Sequence, residues 1–339
     1  MRLLVLGGTG FVGRAVVEEA VTRGWAVTTF NRGRNPWAHP AAEHLVGDRL
    51  DPATHAPLGA GEWDVVLDTW SGAPSATRAV AAVLAPRAER YVYVSSCSVY
   101  FGATPAARGA GEHAPVVDGR GEDYAAVKRA SELAVLDAFG ADRTLLLRPG
   151  TILGPHEDVG RLPWWLLRLA RGGDVLAPGP AGQPLQLIDA RDLARFALDA
   201  AAAGRSGAYN TVSRRGHATM GSLLDDALAA TGSSARLVWA EPERILAAGI
   251  APWTELPLWL PPDDDYAAMH DLGVEKAHAA GLTTRPAADT VRDTWAWLGS
   301  LGAPPPQRAD RPAPGLDPER ERAFLHDARP APSPGAPGR

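Results

Sequence analysis

RLLVLGGTGFVGRAVV, residues 2–17, opens the chain with an aliphatic run, three glycines spaced three apart, and a second apolar run. Leu3–Leu6 reads as a buried strand and Phe11–Arg23 as a helix, so Gly7, Gly10 and Gly13 fall at the turn between them. Gly7 permits the tight turn, Gly10 lets a pyrophosphate approach the backbone, and Gly13 lets the helix lie close to the sheet. The N–H groups of Phe11, Val12 and Gly13 at the helix N-terminus, with its partial positive charge, suit that pyrophosphate. A strand, glycine turn and helix in first position point to a dinucleotide-binding chain.

Outward from this stretch, the apolar runs Ala26–Phe30, Val65–Asp68, Tyr91–Val94 and Thr144–Leu147 alternate with helix-period stretches at Ala76–Leu84 and Tyr124–Phe139. That alternation predicts an α/β fold: a Rossmann-type, doubly wound parallel sheet with helices on both faces. The expected dinucleotide-binding domain spans 1–155, with a returning segment near 185–213. Residues 156–300 form a smaller, mainly substrate-binding C-terminal region with a helix at Thr290–Leu298. Residues 301–339 are rich in Pro, Ala and Arg and read as a largely disordered tail, apart from a short helix around Pro318–Ala328.

Composition narrows the function. The 339 residues are 45% hydrophobic and 22% charged, with a formal net charge of -5, so no basic field invites nucleic acid or an anionic membrane. The single cysteine, Cys97, excludes an internal disulfide and any cysteine-built zinc site, and the histidines show no ligand spacing. No signal-peptide pattern or membrane-length apolar run stands out, which makes a cytoplasmic location the expectation.

The end of the second strand bears on the choice of dinucleotide. It reads TTFNRGRNP, with Asn31, Arg32 and Arg34 and no carboxylate. A carboxylate there would repel a 2′-phosphate, whereas an arginine would bind it through charge-assisted hydrogen bonds. The reading is NADP in preference to NAD. Asp48, in the Gly47–Asp48 pair after a third apolar segment, is placed to meet the adenine ring.

Two further stretches carry chemistry: YVYVSSCSVYFG at the end of the Tyr91–Val94 strand, and YAAVK beyond it. Tyr124 and Lys128 are four apart at the start of a helix, hence on one face. A free tyrosine titrates near 10, about 3 units above neutrality, so roughly 4 kcal/mol from nearby cations would ionise it at pH 7. Tyr124 would then exchange a proton with a substrate oxygen, held by a serine hydroxyl at the strand end.

With GGTGFVG, YVSSCSVYFG, YAAVK, LRPGTILGP and LIDARDLARFAL, the chain resembles the extended short-chain dehydrogenase/reductases of the NAD-dependent epimerase/dehydratase group, over roughly residues 1–298. The resemblance implies Ser96, four before Tyr100, as the oxygen-holding hydroxyl, with Ser98 second. It implies Tyr124 as acid/base and Lys128 as its activator, bonded also to the nicotinamide ribose. It sets Thr69 and Trp70, and Pro149 and Thr151, against the cofactor, and it implies a homodimer built on the helices at Ala76–Leu84 and Tyr124–Phe139. Thr151 stands where nucleotide-sugar members often carry Asn, and Leu153 replaces their tyrosine, which argues against a nucleotide sugar.

On the substrate side, Trp164, Trp165, Trp253 and Trp259 are candidate pocket walls suited to an apolar small molecule. His156, Glu157 and Asp158 read as a solvated rim, and Asp192 as a helix N-cap. The expected activity is NADPH-dependent reduction of a carbonyl or related group on a small, largely apolar molecule by the Ser96–Tyr124–Lys128 trio. The alternatives are an NAD-dependent epimerase or dehydratase of a sugar-like substrate, and a non-catalytic dinucleotide-binding module.

Overall fold

A computed structural model describes residues 1–101 and 108–327. In chain order the first half comprises β1 (Arg2–Leu6), α1 (Phe11–Thr22), β2 (Ala26–Asn31), β3 (Glu43–Val46), a short α2 (Ala56–Ala60), β4 (Trp63–Asp68), α3 (Pro74–Leu84), β5 (Ala88–Val94), α4 (Tyr124–Phe139) and β6 (Thr144–Pro149). It continues through β7 (Thr151–Leu153), α5 (Arg161–Ala170), β8 (Asp174–Pro178), β9 (Pro184–Leu185), β10 (Leu187–Asp189), α6 (Ala190–Ala202) and β11 (Gly207–Thr211). Then come β12 (Ala218–Thr219), α7 (Met220–Thr231), β13 (Arg236–Ala240), α8 (Pro242–Ala247), α9 (Glu275–Ala279), α10 (Ala287–Ser300) and α11 (Pro318–Asp327).

Seven strands form one sheet in the order β11-β6-β5-β4-β1-β2-β3, every neighbouring pair parallel. The continuous apolar runs follow from burial on both faces. Successive side chains point to opposite sides, so Leu3, Val5, Val65, Leu67, Val92 and Val94 join one core with α1 and α6. Leu4, Leu6, Val66, Tyr91 and Tyr93 join the other with α3 and α4. The strand order reverses between β1 and β4, which opens the ligand crevice at the carboxyl ends of the strands.

A third core gathers α5, α7, α10, α11 and the parallel pair β8–β13. Here two sequence expectations change. Trp165 and Trp259 are 0% and 1% exposed, and their indole N–H groups donate to the carbonyls of Pro257 (2.7 Å) and Gly179 (3.0 Å). They are core rather than pocket walls, because a tryptophan whose N–H finds a backbone acceptor buries its whole ring at little polar cost.

The stretch read as a tail is also structured as far as Asp327. Leu316 and Phe324 enter this third core, and Glu321 accepts a 2.6 Å bond from buried Arg168. Composition suggested disorder because prolines mask the two apolar anchors and the buried acid. Residues 328–339 of that expected tail lie outside the described residues. The α6 N-cap is Asp189, which accepts from Arg191 N–H; Asp192 lies inside the helix and pairs with Arg285 and Arg195.

Candidate active site

The glycine turn is built by backbone geometry that side chains would obstruct. Gly7 and Gly8 have φ of 116° and 86°, and a Cβ on Gly7 would come within 2.8 Å of Thr69 Oγ1. A Cβ on Gly13 would lie 2.6 Å from the Gly8 nitrogen, so only glycine lets α1 settle onto the turn. Gly10 is the N-cap of α1 and supplies no side-chain acceptor, leaving the first-turn N–H groups of Phe11, Val12 and Gly13 for an anion. This uncapped N-terminus over a glycine cradle fits the diphosphate of a dinucleotide. Gly8 is a further turn residue that the three-apart spacing overlooks, although GGTG contains it.

Other expected cofactor residues line the same edge of the sheet. Asn31 ends β2, and its Oδ1 accepts from Gly33 N–H at 2.9 Å. Arg32 and Arg34 follow it, both exposed, with no hydrogen bond or ion pair to the other described residues. Asp48 follows β3, where its carboxylate accepts from Leu50 N–H at 3.0 Å. Thr69 and Trp70 follow β4, with Thr69 Oγ1 donating to the Leu6 carbonyl (3.3 Å). Pro149 ends β6 and Thr151 begins β7, the latter buried with its hydroxyl unpaired among the described residues.

A buried ion pair braces this edge. Arg49 binds Asp68 through two bonds of 2.7 and 2.8 Å, and Tyr91 OH donates to the same carboxylate at 2.8 Å. Burial opposes the Asp68 charge, but Arg49, Tyr91 and Trp70 N–H outweigh it and hold the carboxyl below its usual range. The sequence signal was weak: a lone Asp ending an apolar strand and an Arg in a turn.

Ser96 lies just beyond β5 and caps the 3-10 turn Cys97–Tyr100, accepting from Ser98 N–H at 3.1 Å and donating to Ser98 Oγ at 3.0 Å. The turn is anchored from behind: Tyr100 OH donates to Asn210 at 2.7 Å, and Arg148 donates to Tyr100 OH while holding buried Glu132 with two 2.9 Å bonds.

Tyr124 opens α4, capped by Asp123, and is 40% exposed at the crevice. Lys128, one turn on, is 2% exposed and donates to the carbonyls of Trp70 (2.6 Å) and Val94 (2.8 Å). These are the ends of the segments carrying Thr69–Trp70 and Ser96, so Lys128 ties both to α4. Burial, against the pull of Asp68 and helped by Arg308, Arg311 and Arg49, brings the Lys128 ammonium down to about 7.

The expected rim divides. Glu157 is fully buried, accepts from the N–H groups of Arg161 (2.8 Å) and Leu162 (3.3 Å), and is pushed up to about 7 by burial. It caps α5 instead of meeting solvent, because the orphan amides of that helix need an acceptor. His156 packs edge-on against Trp297, and burial lowers its imidazole to about 4. Trp164 is partly buried against Trp165, while Trp253, at φ 63°, lies under the guanidinium of Arg161. Segment 304–315 crosses the crevice mouth and brings Arg308 and Arg311 to the site, with Arg311 Cζ 5.1 Å from the Tyr124 ring centre. No periodicity in that proline-rich stretch foretold it. Among the described residues no helix is long and apolar enough to cross a membrane, and no His, Cys, Asp and Glu group could hold a metal.

The sequence profile of the NAD dependent epimerase/dehydratase family matches residues 3–212. A 2-alkyl-3-oxoalkanoate reductase of Stenotrophomonas maltophilia is 32% identical over 255 residues, 69% of this chain and 76% of that protein. A chloroplast stem-loop binding protein of 41 kDa b from Arabidopsis thaliana is 28% identical over 213 residues, 58% of this chain and 54% of that one. Among solved structures, the Bordetella bronchiseptica enzyme WbmH in complex with NAD+ superposes with a TM-score of 0.70 at 19% identity, over 89% of this chain and 99% of that one.

Proposed function

The chain belongs to the NAD dependent epimerase/dehydratase family, as an NAD(P)-dependent oxidoreductase of the extended short-chain type, and from that premise we propose that it is an NADPH-dependent reductase of a carbonyl, or related group, on a small and largely apolar molecule. The observation that carries the proposal is the union of Tyr124 at the crevice with buried Lys128, bonded to the carbonyls of Trp70 and Val94. When bound, the reduced nicotinamide supplies the hydride that the carbonyl carbon receives. Tyr124 gives its phenolic proton to the carbonyl oxygen, and Ser96 Oγ donates a hydrogen bond to the same oxygen. The Lys128 ammonium, when charged, favours the phenolate left behind.

NADP is favoured by Arg32 and Arg34, exposed at the end of β2 without a partner among the described residues. Net reduction is favoured by the Stenotrophomonas relative, a reductase by its name, and by Thr151 in the place of the nucleotide-sugar Asn. A cytoplasmic homodimer built on α3 and α4 belongs to the same reading, supported by Leu133, 38% exposed on α4. Fluorescence titration with NADPH and NADH, followed by NADPH consumption against a panel of ketones, tests it. Tighter NADPH binding and turnover of at least one ketone are expected; NADH bound as tightly as NADPH, or no turnover across the panel, overturns it.

A further inference from the structure

Two arginines beside Tyr124 make no ion pair with another described residue, although Glu157 attracts Arg161, and Asp158 and Asp310 attract Arg311, at longer range. Arg161 takes the first position of α5, where the helix end already carries positive partial charge. Glu157 beneath it is occupied by the two backbone N–H groups. The Arg161 guanidinium lies on Trp253, 5.0 Å from the ring centre, and that of Arg311 lies over Tyr124 at 5.1 Å. Neither guanidinium hydrogen-bonds or ion-pairs with another described residue. Arg308, by contrast, is held by Asp310 (2.9 and 2.6 Å) and by Ser71 (3.2 Å).

The cations act on one another. Burial lowers the Arg161 pKa most, against the pull of Glu157, and Arg311 and Arg308 lower it further; burial, against Asp68, acts likewise on Lys128, with the same two arginines adding to it. Partly buried like charges with no counterion in contact disfavour the folded chain, and such clusters in a crevice mark ligand sites. Their contacts distinguish this site from the diphosphate cradle: the Arg161 guanidinium rests on Trp253 of the substrate region and that of Arg311 on the acid/base, neither on the glycine turn.

We propose that Arg161 and Arg311 form a carboxylate-binding site beside Tyr124, so that the substrate is an oxo acid: carboxylate on the two guanidinia, carbonyl at the tyrosine, apolar remainder toward Trp253. Planar guanidinia match a carboxylate through paired hydrogen bonds. The site rests on the reductase reading for the role of Tyr124, but its anion selectivity is measured without turnover.

Isothermal titration calorimetry of the full chain, saturated with NADP+, compares octanoate with octanamide, which differ only in the charged group. The unaltered protein should bind octanoate at least about tenfold more tightly. R161M/R311M should abolish that preference while leaving NADP+ affinity within about twofold, and R161K/R311K should keep part of it through its point charges. If the double variant fails to fold, R311M alone carries the test, since its side chain sits on the crossing segment and should narrow the gap. Equal binding of the two probes by the unaltered chain overturns the site. So does a double variant that keeps the octanoate preference but loses NADP+, because the arginines would then serve cofactor phosphates. Should NADP+ itself not bind while octanoate still outcompetes octanamide, the reductase reading fails and the anion site stands.

Discussion

Arg308 joins the two lips of the crevice: its guanidinium donates to Ser71 Oγ, 237 positions earlier in the chain, at 3.2 Å, while its backbone N–H donates to the Asp158 carbonyl at 2.9 Å. One lip is the loop after β4 and the other the loop after β7. The segment that does this is fastened beyond the crossing by Leu316, Phe324 and Glu321.

The fastening should be energetically substantial. Glu321 is 3% exposed and accepts from Arg168 at 2.6 Å and from Leu176 N–H at 3.1 Å. Glu321→Ala leaves a buried guanidinium without its counterion, so it should destabilise the protein by about 3 kcal/mol. Urea denaturation of the two proteins measures this directly, and a loss under about 1 kcal/mol would mean that the pair is solvated.

Cofactor choice should follow the charge at the end of β2. Arg32→Asp replaces an exposed cation, unpaired among the described residues, with an anion where a 2′-phosphate would lie. The preference for NADPH over NADH should reverse, with NADPH affinity falling by about tenfold or more. Fluorescence titration of both nucleotides reads the ratio; an unchanged ratio would remove Arg32 from the cofactor site.

The trio separates by role. Tyr124→Phe deletes one oxygen on a side chain that makes no hydrogen bond with the other described residues, so folding and NADPH binding should persist while turnover falls by about two to four orders of magnitude. Ser96→Ala should cost less, since the hydroxyl orients without transferring the proton. Lys128→Ala should damage both rate and NADPH affinity, and Lys128→Arg is no control because a guanidinium is bulkier and planar. Single-turnover kinetics beside nucleotide titration distinguishes the three outcomes, and full activity in Tyr124→Phe defeats the assignment.

Lys128 should also appear in the pH dependence of stability. Its folded-state pKa lies near 7, depressed by burial, against an ordinary value of about 10.5. Between those values the unfolded chain holds a proton that the folded chain has released, so the contribution of Lys128 to stability rises with pH over that interval. Below pH 7 both states are protonated, and charging the buried amine costs the fold its full penalty. Lys128→Met should therefore stabilise the cofactor-free protein most near pH 7 and progressively less toward pH 10. Denaturation midpoints across that range check the sign, and a constant difference would show that the ammonium is not penalised.

The sequence by itself determined the sheet, the glycine turn and the Tyr124–Lys128 pairing. Each is a local pattern: strand runs buried on both faces, Gly7 and Gly13 at one strand–helix junction, and two side chains one helical turn apart. Tertiary structure alone decided which tryptophans are fully buried in the core and which are only partly covered. Trp165 and Trp164 are adjacent in one helix, yet the first is fully buried with its N–H on the Pro257 carbonyl and the second only partly buried. It decided equally that Arg311 lies on Tyr124 and that Glu157 turns inward to cap α5. Arg168 and Glu321 meet across 153 positions, the second lying just beyond a proline-rich stretch that shows neither helix nor strand period. Contacts of that range follow from packing complementarity between whole surfaces, which no spacing within a short window records.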